Sequence, residues 1–154
     1  MASIKEQILD YVKTQLEGVI PPAATTSVQK VSREVQELQN TNVFPVIYLP
    51  EPTETKNNIV NGLTTVFMEL RVDCWLKNMY DDNVNFDVTT FLNDVEKAIM
   101  ADTQQNKLAV DTTPKKNESC VWRKEKVAGV MLMFEVHYRH SILNPSTQVP
   151  SVLA

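Results

Sequence analysis

Glycine is scarce: three residues in 154. That leaves no Gly-rich loop to cradle a phosphate and no glycine-punctuated repeat array. Cysteine is equally sparse. Cys74 and Cys120 lie far apart in sequence and form no Cys-x-x-Cys pair, so the usual signature of structural zinc is missing. A domain of this length does not need a disulfide. No apolar run approaches the about 20 residues that span a bilayer. Lys5, Glu6, Asp10 and Lys13 break up the N-terminal region, so no signal-peptide core is read there and export is not expected. A basic arm or stripe is absent too. The 15 Lys and Arg are mixed among 19 Asp and Glu, for a net charge of −4, which argues against tight nucleic-acid binding.

What is present suffices for one core, since 43% of the chain is hydrophobic. Residues 1–143 are expected to form a single α+β domain with a long mobile loop at 50–62. Residues 144–154 are expected to form an extended C-terminal tail, with Pro145 and Pro150 fixing its course. Ser3-Ile4-Lys5-Glu6 reads as a capping box. Ile4, Ile8, Tyr11, Val12 and Leu16 then recur at helical spacing. Gly18 and Pro21-Pro22 are stop signals, so a helix is predicted over Ile4 to Glu17. A weak strand is read in Ser27 to Val35. A short one is read in Val43 to Leu49, with Pro45 at an edge or bulge. Pro50, Pro52, Asn57, Asn58, Asn61 and Gly62 mark the polar loop.

Two strands are clearer. Val66, Met68, Leu70, Val72, Cys74 and Leu76 alternate with Thr65, Phe67, Glu69, Arg71, Asp73 and Trp75. The second is Val127 to His140. Between them, Val88, Phe91, Leu92, Val95, Ala98 and Ile99 form a helical stripe, with Asp87 as N-cap. Short strands are read near Lys107 to Asp111 and Cys120 to Lys124, and a turn at Lys124 to Lys126. The order predicts an antiparallel sheet with both helices packed on one face.

Both histidines sit in the last strand. His137 and His140 are three apart, so an extended chain sends them to opposite faces and they cannot share a metal. Glu135 and His137 do share a face and have the makings of a general-base couple. No nucleophile or second carboxylate pair accompanies them, so a solvated or inter-subunit sheet face is the better reading. Asp81-Asp82 reads as a turn rather than a calcium site. Cys120, despite Arg123 and Lys124 nearby, reads as a strand cysteine rather than a nucleophile. Met131 and Met133 read as strand-face packing. No cofactor or metal is expected. If the two strong strands pair, opposite charges among Glu69, Arg71, Asp73, Glu135, His137 and Arg139 are expected to meet across the ladder. Such a mixed face suits a subunit interface or a channel wall.

The capped first helix, Phe44-Pro45-Val46-Ile47-Tyr48-Leu49, the long strand Val66 to Leu76, the helix Val88 to Met100 and the closing Phe134-Glu135-Val136-His137-Tyr138-Arg139 together resemble the tail terminator (tail-completion) proteins of tailed bacteriophages, from about Ile4 to Ile142. The resemblance implies a non-enzymatic subunit of a hexameric ring in the virion tail, assembled in the host cytoplasm. That ring caps the tail tube, stops its polymerisation and offers a surface to the head. Its partners would be copies of itself, the tube protein and head–tail connector or neck proteins. DNA would pass through without specific binding, and no membrane is involved. Glu69, Arg71, Asp73, Glu135, His137 and Arg139 would lie at subunit contacts or along the ring wall. Glu54 and Lys56 in the 50–62 loop would reach the tube or a neighbour. The rival readings are another head–tail joining protein, and a small enzyme or ligand-binding domain using Glu135 and His137.

Overall fold

The structure is a computed structural model that describes residues 2–19, 30–33, 46–59, 62–77, 84–122, 127–141 and 144–148. Helix α1 spans Ile4–Glu17, as its spacing predicts. The Ser3 Oγ accepts from the Glu6 N–H at 3.2 Å, a cap worth about 1 kcal/mol. Only this half of the capping box forms, because the Glu6 carboxylate accepts from Arg33 instead. Gly18 ends the helix without a left-handed residue. Its φ is −87°, and the Gly18 and Val19 N–H groups donate to Gln15 and Leu16, tightening the last turn.

The strands are β1 (Lys30–Ser32), β2 (Val46–Tyr48), β3 (Thr53–Ile59), β4 (Leu63–Lys77), β5 (Asp111–Trp122), β6 (Val127–Ser141) and β7 (Asn144–Gln148), with α2 (Val84–Met100) between β4 and β5. They form one sheet in the order β1-β2-β4-β6-β5, with β3 also paired to β4 and β7 to β6. Among the described residues only the β1–β2 pair is parallel. The fold is therefore α+β with a mostly antiparallel sheet. Its spine is the β4–β6 ladder, unbroken from Leu63↔Ser141 to Lys77↔Val127.

Several local expectations are corrected. The 50–62 segment contains strand β3 rather than a loop throughout. β2 and β3 follow each other along one edge of β4, from Tyr48↔Asp73 to Thr53↔Glu69. The edge segment thus carries one extra residue at 49–52. Pro50 and Pro52 fall in that bulge, where a missing N–H costs no ladder bond. At the start of the expected extended C-terminal segment, residues 144–148 form β7 on β6. α2 begins at Val84, so Asp87 lies inside the helix rather than capping it. Residues 101–110 form turns, not a strand up to Asp111. Gln105, Asn106 and Lys107 have φ of 46°, 60° and 63°, a left-handed turn costing roughly 1–2 kcal/mol per residue. Asp102 holds it, accepting from the Gln104 and Asn106 N–H groups and the Tyr11 hydroxyl. Those bonds, led by Asn106, keep its carboxyl below the usual range. The strand read near Cys120 is the end of the longer β5, which bulges at Lys115 beside Pro114. Pro45, Asp81, Asp82 and Lys124 to Lys126 lie outside the described residues.

Period-two alternation decides what is buried. Val66, Met68, Leu70, Val72 and Cys74 on β4, with Val130, Leu132, Phe134, Val136 and Tyr138 on β6, are all buried. They join Ile4, Ile8, Leu9, Val12 and Leu16 of α1 and Phe91, Val95 and Ile99 of α2 in one apolar cluster. Burial pushes the Cys74 thiol well up, away from the reactive thiolate.

Candidate functional site

The face of the β4–β6 ladder opposite this cluster can be read row by row from the registers. Arg139 faces Thr65; His137 faces Phe67 and Asp111; Glu135 faces Glu69 and Thr113; Met133 faces Arg71 and Lys116; Met131 faces Asp73 and Glu118. The six strand residues singled out from the sequence all lie on this face, as the alternation predicts. Their charges do not pair as expected. Glu69 stands opposite Glu135, a like-charge pair that is unfavourable on a ladder. The ion pairs run within strands or toward β5. Arg71 donates to Asp73 at 2.9 Å, Lys116 reaches Glu118 at 2.7 Å, and Lys115 lies 3.9 Å from Glu135. The Lys116 bond holds the Glu118 carboxyl below its ordinary value.

Glu54 and Lys56 do not belong to this face. They oppose Met68 and Val66, on the core side of β4. Glu54 accepts from the buried Tyr138 hydroxyl and lies 3.5 Å from Lys5. Lys5 also pairs with Glu51, and Arg33 bridges Glu6 and Glu51. Burial first, then Glu54, pushes the Tyr138 phenol far up. This cluster ties α1, the residue after β1, the 49–52 bulge, β3 and β6 together. Sequence reading missed it because its members are spread along 134 positions of chain, from Lys5 to Tyr138, and carry no shared motif.

His137 stacks on Phe67, with ring centroids 4.6 Å apart and planes 16° apart. Its Nε2 and the Arg139 Nε are buried without a hydrogen-bond partner among the described residues. Burial lowers the His137 pKa from its ordinary 6.5, helped by Arg139 and opposed by Glu135 and Asp111. A base depressed on folding binds its proton more weakly than in the unfolded chain. Stability should therefore be complete above about pH 6.5 and decline as pH falls through that value toward the depressed one. Urea midpoints measured across this window should show the decline, and His137→Phe, which keeps a ring on Phe67, should flatten it.

His140 occupies the other face. It is buried, with Nδ1 2.7 Å from the Ser141 carbonyl oxygen, so the two histidines do not converge. Among the described residues no group of three or more His, Cys, Asp or Glu is placed to hold a metal ion. No described helix is long and apolar enough to cross a membrane. A groove of about 240 Å³ lies between Glu96 of α2 and Pro114 to Asn117 of β5. Neither Glu135 nor His137 lines it, so the Glu–His couple is not in that cleft.

The sequence profile of the family described as Bacteriophage Tail Tube Terminator Protein matches residues 1–132. The chain belongs to that family. Tail terminators are structural proteins of the phage tail, and this chain is accordingly a tail component of the virion. No curated protein sequence matches this tail terminator. A chain in a solved structure titled "Virion of native gene transfer agent (GTA) particle" is similar at 8% identity with a TM-score of 0.43. The match covers 88% of this chain and 90% of that one, a likeness too distant to carry an argument.

Proposed function

We propose that this tail terminator is the subunit of a ring, a homohexamer in the family's manner, that caps the tail tube, ends its polymerisation and offers the surface to which the head is joined. The observation that carries this reading is the second face of the β4–β6 ladder. It is long, half-buried along β6 and exposed at Glu69 and Arg71 on β4, and sets charged side chains around Phe67, Met131 and Met133. That composition suits contact with protein. Glu69, Arg71, Asp73, Glu135, His137 and Arg139 are the proposed contact residues, at subunit boundaries or along the ring wall. Packing of both helices on the opposite side would leave the face free. Glu54 supports the fold through Tyr138 and Lys5, and Glu54 and Lys56 take part in contacts only where the β3 edge meets the tube. No catalytic step is proposed.

Electron microscopy of particles from a phage with this gene disrupted tests the reading. Over-long or irregular tails without heads are expected. Normal-length free tails beside filled heads would point to a connector instead. Intact, correctly joined virions would overturn the structural role.

A further inference from the structure

The strand that closes one edge of the sheet has little to hold it there. β3 reads Thr-Glu-Thr-Lys-Asn-Asn-Ile, and its Thr53, Thr55, Lys56 and Asn57 are exposed. Its seven register pairs all go to β4, and among the described residues no other strand pairs with it. Leaving the sheet would therefore uncover little apolar surface, and segments of that kind open well before a whole domain does. The edge beneath is the reverse. Leu63 to Glu69 of β4 reads Leu-Thr-Thr-Val-Phe-Met-Glu, rich in strand formers, without proline and charged only at Glu69. The opposite edge, β5, carries Pro114, a bulge at Lys115 and the exposed Lys115 and Lys116, devices that keep a free edge from pairing. This half of β4 has none of them, and β3 is its guard.

One side chain fastens that guard. Among residues 53–57 only Glu54 is half-buried. Its carboxylate accepts from the Tyr138 hydroxyl of β6 and lies 3.5 Å from Lys5 of α1. Tyr138 is 2% exposed, so this bond is made out of water, where a charged acceptor is worth most. Lys5 also pairs with Glu51, which Arg33 reaches at 3.0 Å. Charge thus pins β3 near its start, and ladder bonds hold the rest of it.

We propose that β3 is a strap that detaches from β4 as a unit while the rest of the sheet stays folded, and that the contact of Glu54 with Tyr138 and Lys5 is the latch that sets how often it opens. The 49–52 bulge stays behind as one hinge. Leu49 and Pro52 are buried there, and the Leu49 N–H donates to Ser32 at 2.8 Å. Gly62, with φ of 75°, is the other hinge. Opening bares the β4 edge from Leu63 to Glu69, and an unguarded edge of that composition accepts a further strand. The device depends on neither the ring nor the tube.

Hydrogen exchange of the full chain, read by mass spectrometry, tests it. Amides of residues 53–59 should exchange at least about a hundredfold faster than those of residues 130–136 in β6, since a local opening costs less than global unfolding. Low urea should speed the second set and leave the first unchanged, because the local opening exposes little surface. Two variants break the latch while keeping side-chain size. Glu54→Gln removes the charge and Tyr138→Phe the hydroxyl, and each should quicken exchange at 53–59 by about tenfold, in keeping with a hydrogen bond to a charged group. Phe134→Leu loosens the core instead. It should quicken exchange at 130–136 and leave 53–59 as it was, because the ring stays buried when the strap opens. Exchange at 53–59 that follows 130–136 in urea and in Phe134→Leu overturns the proposal, since β3 would then leave only when the whole domain unfolds. Latch variants with unchanged exchange at 53–59 overturn it as well.

Discussion

Phe134→Ala should destabilise the fold by about 3–5 kcal/mol, a large share of the 5–15 kcal/mol that holds a domain of this kind together. Phe134 is fully buried at the middle of β6 and faces Leu70 across the ladder. It belongs to the cluster that the α1 and α2 stripes complete. Truncation removes the ring's transfer free energy and leaves a cavity that two 15-residue strands, held by ladder bonds on both sides, are poorly placed to collapse. Met133 supplies the control. It is the next residue along, on the other face, and only half-buried. Met133→Ala should cost far less, closer to the ordinary surface change of about 0.5 kcal/mol. Urea unfolding of the pair reads the difference directly. Equal losses would mean that the two faces of β6 have been exchanged, a one-residue slip that would move every side chain discussed above.

That slip is excluded in the sequence as well as in the structure, because the alternation on β4 and β6 is strong and both strands are long. The same holds for α1, where a cap, a 3.6-residue stripe and a glycine stop agree on Ile4–Glu17. β3 was not legible for a physical reason. Thr-Glu-Thr-Lys-Asn-Asn-Ile has no apolar face of its own. Its strand state is imposed by seven register pairs to β4 and by the contact of Glu54 with Tyr138. The prolines on its N-terminal side are equally good signals for a loop and for a bulge. The turn at 105–107 is hidden for the opposite reason: no glycine announces it, and Asp102 together with buried Gln105 holds three L-residues where the backbone disfavours them. Which residues share the candidate face was readable from period two. Which of them oppose each other was not, because register depends on where the ladder begins. Glu69 against Glu135 is the result, and it replaced an expected salt bridge with an acidic pair that only Lys115 of β5 approaches among the described residues.

Gly129→Val should be the other strongly damaging change, and its cause is steric rather than conformational. Gly129 is buried in β6 opposite Trp75 on β4. A Cβ at this position would lie 2.2 Å from Trp75 Cε3 and 2.3 Å from Cζ3, far inside van der Waals contact. The indole lies across the bare backbone, which compensates a glycine that would otherwise weaken the strand. A branched side chain must therefore expel the ring or separate the two central strands. Overpacking of this sort costs about 1–3 kcal/mol and occasionally more. The upper end is expected here because the nearest atoms belong to a rigid ring held between two paired strands. Gly129→Ala should follow the same direction with a smaller loss. The cycle with Trp75→Val separates this cause from a simple glycine effect. Each single change should destabilise, and the double variant should be more stable than their sum by about 0.5–3 kcal/mol, since two branched residues pair well across a ladder. Additive losses in urea unfolding would show that the ring is not what makes glycine necessary at 129.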